Sequence, residues 1–362
     1  MRFEGRMDTV THALSGALLG RLFSSGRGGL RPAAAIAAGA TAAAFPDIDY
    51  LLGYVSELTY LRGHRGVTHS VLLLPLWGAL LAGLFARLAR LRDRRGPDWP
   101  AFYGLACAGI AIHIAGDLIT QFGTMILAPL SDRRFGIGTT FIIDLVFTGI
   151  ILAGLAASAV FRRSRVPAAL ALVALAGWVG VGWVGRGEAI EAARAYAVTK
   201  RIPVVAIDAA PRPASPFNWT AIVFDGERYH YAHLNTRRQH ALTVREGDNF
   251  IRRFSAPYLP VAQAQWAVKP MFGNGGEGEL ARAVWNAGDF AFYRWFAMFP
   301  VLDQVDAATP AGPCASFRDL RFETPGRDGT PFRYGLCGTG NGQGWRLFER
   351  RDDGGLRWVA GG

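Results

Sequence analysis

Seven residues in the first third of the chain have side chains able to hold a cation: His12, Asp47, Asp49, His64, His69, His113 and Asp117. His113 and Asp117 are four apart, so a helix presents both from one face. Imidazole with carboxylate suits zinc, and also manganese or iron. Taken alone, the pair is more often a hydrogen bond between helices. His64 and His69, in HRGVTHS, stand five apart across a turn marked by Gly63 and Gly66. They can face one centre from a loop and a helix start. Arg65 between them can offer a planar fork to a phosphate oxygen, or anchor the segment at headgroup level. Asp47 and Asp49, in PDID, can bridge two metals, or one can bind while the other orients a histidine or acts as a general base. His12 taken alone is more often a satisfied core histidine than a ligand, and Asp144 fits a helix cap as well as an orienting partner.

The ligand set expected from these residues is His12, Asp47, His64, His69, His113 and Asp117, holding one or two divalent ions, zinc first. Asp49 and Arg65 are expected to be catalytic. Such a centre activates a water against an ester while a second cation and Arg65 hold developing negative charge, which favours phosphoesters. Polar groups left unpaired beside lipid cost several kcal/mol each, so a cluster of this kind at a membrane boundary implies a working site. A site there also implies an amphipathic substrate, such as a phospholipid or a polyprenyl phosphate.

The elements that must position these residues are apolar. Runs over Thr9 to Phe23, Pro32 to Tyr54, Gly66 to Ala86, Pro100 to Met125, Phe141 to Phe161 and Val166 to Gly185 approach the roughly 20 residues that cross a bilayer, the first being short. Five or six spans are predicted. Gly16 and Gly20 lie one turn apart and permit a close helix contact. The first run reads as a retained helix and not as a cleavable signal, and Met7, opening MDTVTHAL directly on it, is a second candidate start.

The chain has 39 Lys plus Arg against 28 Asp plus Glu, a net charge of +11, and a mean hydropathy of +0.17. Much of the arginine falls in short loops at 21–31, 87–97 and 162–165, a distribution that membrane orientation explains better than nucleic acid does. With those loops cytoplasmic, the alternation of spans sends the seven residues above, with Asp144, toward the opposite face. Everything after the sixth span follows to the same side.

Residues 187–362 read as a soluble α+β domain, against a helical membrane domain over 7–186. A helix is expected over Glu188 to Thr199. Strands are expected in IPVVAID and in the hairpin WTAIVF/RYHYAHL, which turns at Asp225, Gly226 and Glu227. The segment 276–299, with Trp285, Trp295 and Phe296, is expected to be helical and packed on the sheet, and the tail to end in a short strand pair. His230, His233 and His240 lack an evident carboxylate partner and are expected to be structural. Cys107 reads as core packing, whereas Cys314 and Cys337 can form a bridge if this half lies outside the cytosol.

DTVTHALSG, FPDIDYL, HRGVTHS and HIAGDLITQFGT, in that order, resemble the membrane-bound metal-dependent hydrolases, also described as LexA-binding, inner-membrane-associated hydrolases. The resemblance covers about residues 7 to 160 and implies a multi-span inner-membrane protein of that family. More remotely, the order of His, Asp, His and HxxxD is similar to that of zinc-dependent phospholipase C and nuclease P1. That likeness implies His12, Asp47, His64, His113 and Asp117 as ligands, with His69 and Asp49 extra or substitute. Asp144 has no matching histidine for a second HxxxD pair, so the likeness implies one or two ions and not three. The reading drawn is a multi-pass inner-membrane hydrolase acting on a phosphoester, with the lipid bilayer as its surroundings and an extracytoplasmic C-terminal domain. The alternative is a non-catalytic membrane protein with a structural metal and a partner-binding soluble domain. A transporter fits less well because the polar residues gather at one end and not at the midplane.

Overall fold

The computed structural model of the chain describes residues 4–24 (side chains from Thr9), 30–94, 96–307, 309–327, 329–339 and 344–359. They fall into two compact units, one of Met1–Val55 with Gly63–Trp183 and one of Ser56–Arg62 with Val184–Gly362.

The first unit is helical. In order it holds α1 (Glu4–Phe23), α2 (Pro32–Ala44), a 3-10 segment (Phe45–Tyr54), a 3-10 turn (Val67–His69), α4 (Leu74–Arg92), α5 (Trp99–Leu118), α6 (Leu145–Val160) and the start of α7 (Val166–Lys200). Between its two 3-10 segments lies α3 (Glu57–Gly63), most of which belongs to the second unit. α2, α4 and α5 each begin with proline in the first turn, where its missing N–H is not needed. The long run over Pro32 to Tyr54 is not one helix. α2 ends at Ala44, and from Phe45 and Pro46 the chain tightens into 3-10 geometry that carries the two aspartates. Likewise α4 starts only at Leu74, and α5 ends at Leu118.

Against the five or six spans expected, three helices among the described residues are long and apolar enough to cross a membrane: α4, α5 and α7. α6 is apolar but only 16 residues long, and α1 carries Glu4, Arg6, Asp8 and Arg21 within its 20 residues. α7 runs 35 residues without a break through Gly185-Arg-Gly187, where the sequence suggested two helices. At about 1.5 Å per residue that is roughly 50 Å, more than a hydrocarbon core of about 30 Å needs.

The packing of α1 on α2 is set by small residues. A Cβ on Gly16 would stand 2.2 Å from the Gly39 carbonyl oxygen, and one on Gly20 2.2 Å from that of Ala35. Only glycine allows backbones that close. Ala35, Ala38 and Ala42 then pack with Leu81, Phe85, Phe102, Ile110 and Ile114 in one core. A second core joins Leu18 to Ile151 of α6 and Ala168, Ala171 and Leu175 of α7. Arg21 is buried and donates to the carbonyls of Arg162 (2.6 Å) and Ser164 (2.8 Å), closing the end of α1 on the α6–α7 turn.

The second unit is built on two sheets. The first takes β1 (Ala206–Pro211), β2 (Asn218–Phe224) and β3 (Arg228–Asn235) as an antiparallel meander. After α8 (Phe250–Ser255), β4 (Leu259–Pro260) and β5 (Ala267–Pro270) add to β3. The β2–β3 hairpin forms where the sequence places it. Asp225 Oδ1 accepts from the amides of Glu227 (2.9 Å) and Arg228 (2.6 Å), and Gly226 takes φ 102°, in the left-handed region. Ala189, Ala193 and Ala197 of α7 pack on Trp219, Ala221 and Val223.

Next come α9 (Gly275–Asn286) and α10 (Ala291–Phe296), and then an antiparallel meander of β6 (Pro300–Asp306), β7 (Cys314–Asp319), β8 (Tyr334–Gly338), β9 (Trp345–Arg350) and β10 (Leu356–Trp358). Trp285 lies 5.1 Å, ring to ring, from Phe317 of β7, so the aromatic helix rests on the sheet as expected. Cys314 and Cys337 face each other across β7 and β8 and are bridged. Glu57 of α3 pairs with Tyr334 and Arg357.

Candidate metal centre

The centre lies in the first unit, and its eight expected residues are all 8% exposed or less. α5 supplies His113 and Asp117 from one face, α1 supplies His12, the 3-10 segment after α2 supplies Asp47 and Asp49, and the turn before α4 supplies His64, Arg65 and His69.

His113 is oriented by its backbone neighbour. Its Nδ1 lies 2.6 Å from the Ala43 carbonyl, which can only accept, so Nδ1 carries the proton and Nε2 is left as a lone pair. His69 has the same arrangement, with Nδ1 3.0 Å from Thr68 Oγ1 and 3.4 Å from Asp49 Oδ2. The two Nε2 atoms point at each other across 2.9 Å, a separation that requires a proton or a cation between them. Asp47 Oδ1 stands 3.6 Å from His113 Nε2 and 4.0 Å from His69 Nε2. Asp117 Oδ2 lies 3.1 Å from His69 Nε2 and 3.5 Å from His113 Nε2, and it is buried with no hydrogen bond of good geometry.

Two overlapping sets of potential ligand atoms result, Asp47 with His69 and His113, and His12 with His113 and Asp117. The cluster holds three buried carboxylates, Asp47, Asp49 and Asp117, and one guanidinium, that of Arg65, which pairs with Asp117. With neutral imidazoles the cluster is two positive charges short, the deficit a divalent cation makes good. The donors and their charge fit a metal, and imidazoles whose far nitrogens are held by a carbonyl and a carboxylate are characteristic of metal ligands.

The remaining expected residues take other places. Asp49 is surrounded by donors: His64 Nδ1 (2.9 Å), the Arg65 amide (2.9 Å), Thr68 Oγ1 (3.3 Å) and His69 Nδ1 (3.4 Å). His64, expected as a ligand, belongs to neither ligand set. Its Nδ1 is taken by Asp49, and its ring lies 6.0 Å from that of His69 and 5.2 Å from that of Tyr50. Arg65, expected to grip a phosphate oxygen, is 2% exposed and turned inward. Its Nη2 meets Asp117 Oδ1 at 2.9 Å, Nη1 donates to Thr120 Oγ1 at 3.0 Å, and the guanidinium lies 5.0 Å from the centre of the Phe122 ring. Its φ of 61° is costly for a side chain other than glycine or asparagine and marks a held conformation. Asp49 fixes its amide, and the Met125 amide binds its carbonyl at 2.8 Å.

His12 Nε2 lies 3.3 Å from Asp117 Oδ1, with its ring stacked 3.9 Å from that of His113. Asp144 is a cap: its Oδ1 accepts from the amides of Val146 and Phe147, both at 2.9 Å, and its Oδ2 from Trp178 Nε1 at 2.8 Å. Sequence reasoning missed Thr9, whose hydroxyl donates to Asp47 Oδ2 at 2.5 Å, as well as Thr68, Thr120 and the Ala43 carbonyl. All three threonines stand inside the motifs quoted above, Thr9 and Thr68 beside a charged or imidazole residue and Thr120 three residues after Asp117, which was the available signal. A carbonyl leaves no such trace.

Comparison with known proteins agrees with a membrane setting. Residues 7–189, just over half of the chain, match the family described as YdjM inner membrane protein. The chain is also 24% identical over 165 residues to the uncharacterized protein YfhP of Bacillus subtilis (strain 168), a stretch covering 44% of this chain and 48% of that protein. The chain thus spans about half the length of the curated relative it matches. No solved structure matches it. The helical first unit, its three membrane-length helices and the buried His/Asp centre therefore belong to a member of the YdjM inner membrane protein family.

Proposed function

We propose that the chain is a metal-dependent hydrolase of the inner membrane, acting on a phosphoester of an amphipathic substrate. The observation that carries this reading is the pair of Nε2 atoms of His69 and His113, 2.9 Å apart and flanked by Asp47 and Asp117. A divalent cation there would supply Lewis acidity toward an ester oxygen and lower the pKa of a water it binds. Two imidazoles and two carboxylates suit zinc, and a site of this kind does not distinguish it sharply from manganese or iron. The two ligand sets share His113, whose Nδ1 is committed to Ala43, so its one remaining lone pair supports a single ion.

The chain's own residues then have assigned tasks. Asp49 holds the tautomer of His69 and the position of His64, which makes it a positioning residue. Arg65 neutralises part of Asp117 and fixes its direction, leaving Oδ2 for the cation. His12 shares Asp117 from the other side and can hold a proton beside the centre.

For orientation, Arg21 gathers the 162–164 carbonyls onto the end of α1, so two of the arginine-bearing loops share one side, in keeping with a cytoplasmic location for both. The Cys314–Cys337 bridge favours an oxidising compartment for the second unit.

The test is metal analysis joined to turnover. Purified chain should carry zinc or a related ion, lose it to a chelator, and release phosphate from a lipid phosphate only when reloaded; His69→Ala and His113→Ala should abolish both. Protein that takes up no transition metal overturns the proposal. Metal without phosphate release from any phosphoester leaves the site structural and ends the enzymatic reading.

A further inference from the structure

A cavity of about 480 Å³ opens beside the centre, between α1, α5, α6 and α7 and entirely within the first unit. Its walls include Val10, Ile112, Ile143, Phe147, Leu172 and Val179, and His12 stands in the wall between it and Asp117. The volume is that of a ligand pocket and not of a packing defect.

The polar groups in the wall are already occupied. Ser15 Oγ donates to the Thr11 carbonyl (2.9 Å), Thr120 Oγ1 to that of Asp117 (2.8 Å) and Thr148 Oγ1 to that of Asp144 (3.1 Å). The Asp144 carboxylate is spent on the start of α6 and on Trp178. A polar ligand would bury its own groups here largely against hydrocarbon, whereas an aliphatic chain meets mostly matching surface. Among the wall residues, His12 touches the metal centre through Asp117 and Thr120 through Arg65 and the Asp117 carbonyl.

From this placement we infer that the cavity seats the aliphatic chain of the substrate, with the phosphate head at the His12 end. The inference rests on the hydrolase reading and narrows it to lipid-like phosphates bearing a long unbranched or isoprenoid chain. Such chains are the surrounding solvent of α5 and α7, so the site would fill from the bilayer without passing through water. Glycerophospholipids and polyprenyl phosphates share this chemistry.

Photolabelling tests it without requiring turnover. A hexadecyl phosphate carrying a diazirine near its far end is irradiated with the full chain in lipid nanodiscs, and the adducts are mapped by mass spectrometry. Adducts are expected on Ile112, Leu172 and Val179. They should fall at least tenfold in Ala176→Trp and in Thr148→Phe, which fill the cavity from two helices, while metal content and thermal stability stay unchanged. Excess unlabelled hexadecyl phosphate should compete and hexadecanol should not; dioleoyl phosphatidic acid and undecaprenyl phosphate as competitors separate the two sources.

Adducts confined to outward residues such as Leu80, Leu84 and Val173, or insensitive to both filling variants, overturn the proposal. Equal competition by hexadecanol overturns the placement of the head at His12. Cavity adducts in a chain that binds no metal leave the lipid site standing and remove the hydrolase reading, so the two failures are distinguishable.

Discussion

Replacing Asp49 by asparagine removes one charge and almost no volume, and it tests whether the carboxylate orients the centre. In the native chain its two oxygens accept from His64 Nδ1, the Arg65 amide, Thr68 Oγ1 and His69 Nδ1, at 2.9 to 3.4 Å. An amide keeps a single accepting oxygen and turns an NH2 toward donors on the other side. Either His64 or the Arg65 amide and His69 then lose their acceptor. A buried donor left unmet costs about 1–3 kcal/mol. Loss of an orienting partner of a metal-bound histidine typically weakens metal affinity by about 10–100-fold, equivalent to about 1.4–2.7 kcal/mol. Asp49→Asn should therefore still bind zinc, at an affinity lowered by that factor, with a reduced melting temperature in the metal-free form as well. Zinc competition against a chromogenic chelator, run in detergent at fixed pH, measures the first effect, and thermal unfolding with and without chelator the second. Unchanged zinc affinity in the variant would refute the claim that Asp49 acts through His69, and a wild-type chain that never competes with the chelator would remove the centre altogether.

Three further outcomes follow from other parts of the structure. Burial, helped by the nearby Arg212 charge, pushes the His233 imidazole down to about 4 from its ordinary 6.5, against the opposing charge of Glu323. The unfolded chain then binds the extra proton first on acidification, so this contribution is intact above about pH 6.5 and is lost as the pH falls toward 4. Its ceiling is about 3 kcal/mol, and denaturant unfolding followed by tryptophan fluorescence should show the slope in the wild type and its reduction in His233→Gln. The bridge between Cys314 and Cys337 closes a 23-residue separation, for which loop entropy gives a stabilisation of about 3 kcal/mol; unreduced peptide mapping should recover the linked pair, and free thiols at both positions would contradict it. A reporter enzyme fused after Gly187 should be active only outside the cytoplasm, and activity confined to the interior would reverse the proposed orientation.

The sequence already contains much of the centre. HxxxD on an apolar run puts His113 and Asp117 on one helical face because 3.6 residues per turn leave no other arrangement, and PDID directly after an alanine-rich helix announces a change of geometry at Pro46. The β2–β3 hairpin was readable from Asp225 and Gly226 for the same kind of local reason. What failed to show depends on contacts distant in sequence. Arg65 looks like an outward fork in HRGVTHS, and only its left-handed backbone, held by Asp49 and Met125, turns it toward Asp117. His64 and His69 look equivalent as neighbours, yet one is held by Asp49 outside both ligand sets and the other faces His113. Helix boundaries depart from the apolar runs because hydropathy registers burial among helices and burial in lipid alike. The alanines of α2 are core residues of the bundle in a helix of 13 residues. Continuity of α7 through two glycines likewise overrode a weak local preference.

The contact of α1 with α2 has a consequence for how the centre tolerates change. Its spacing is fixed by what Gly16, Gly20 and Gly39 lack, since the next atom on any of them would land on the opposing main chain. α1 carries His12, while α2 carries the Ala43 carbonyl and leads into Asp47, so a methyl group inserted between these helices moves cation-facing atoms several residues away. A survey that exchanged only ionisable side chains would overlook three positions as intolerant as the ligands themselves.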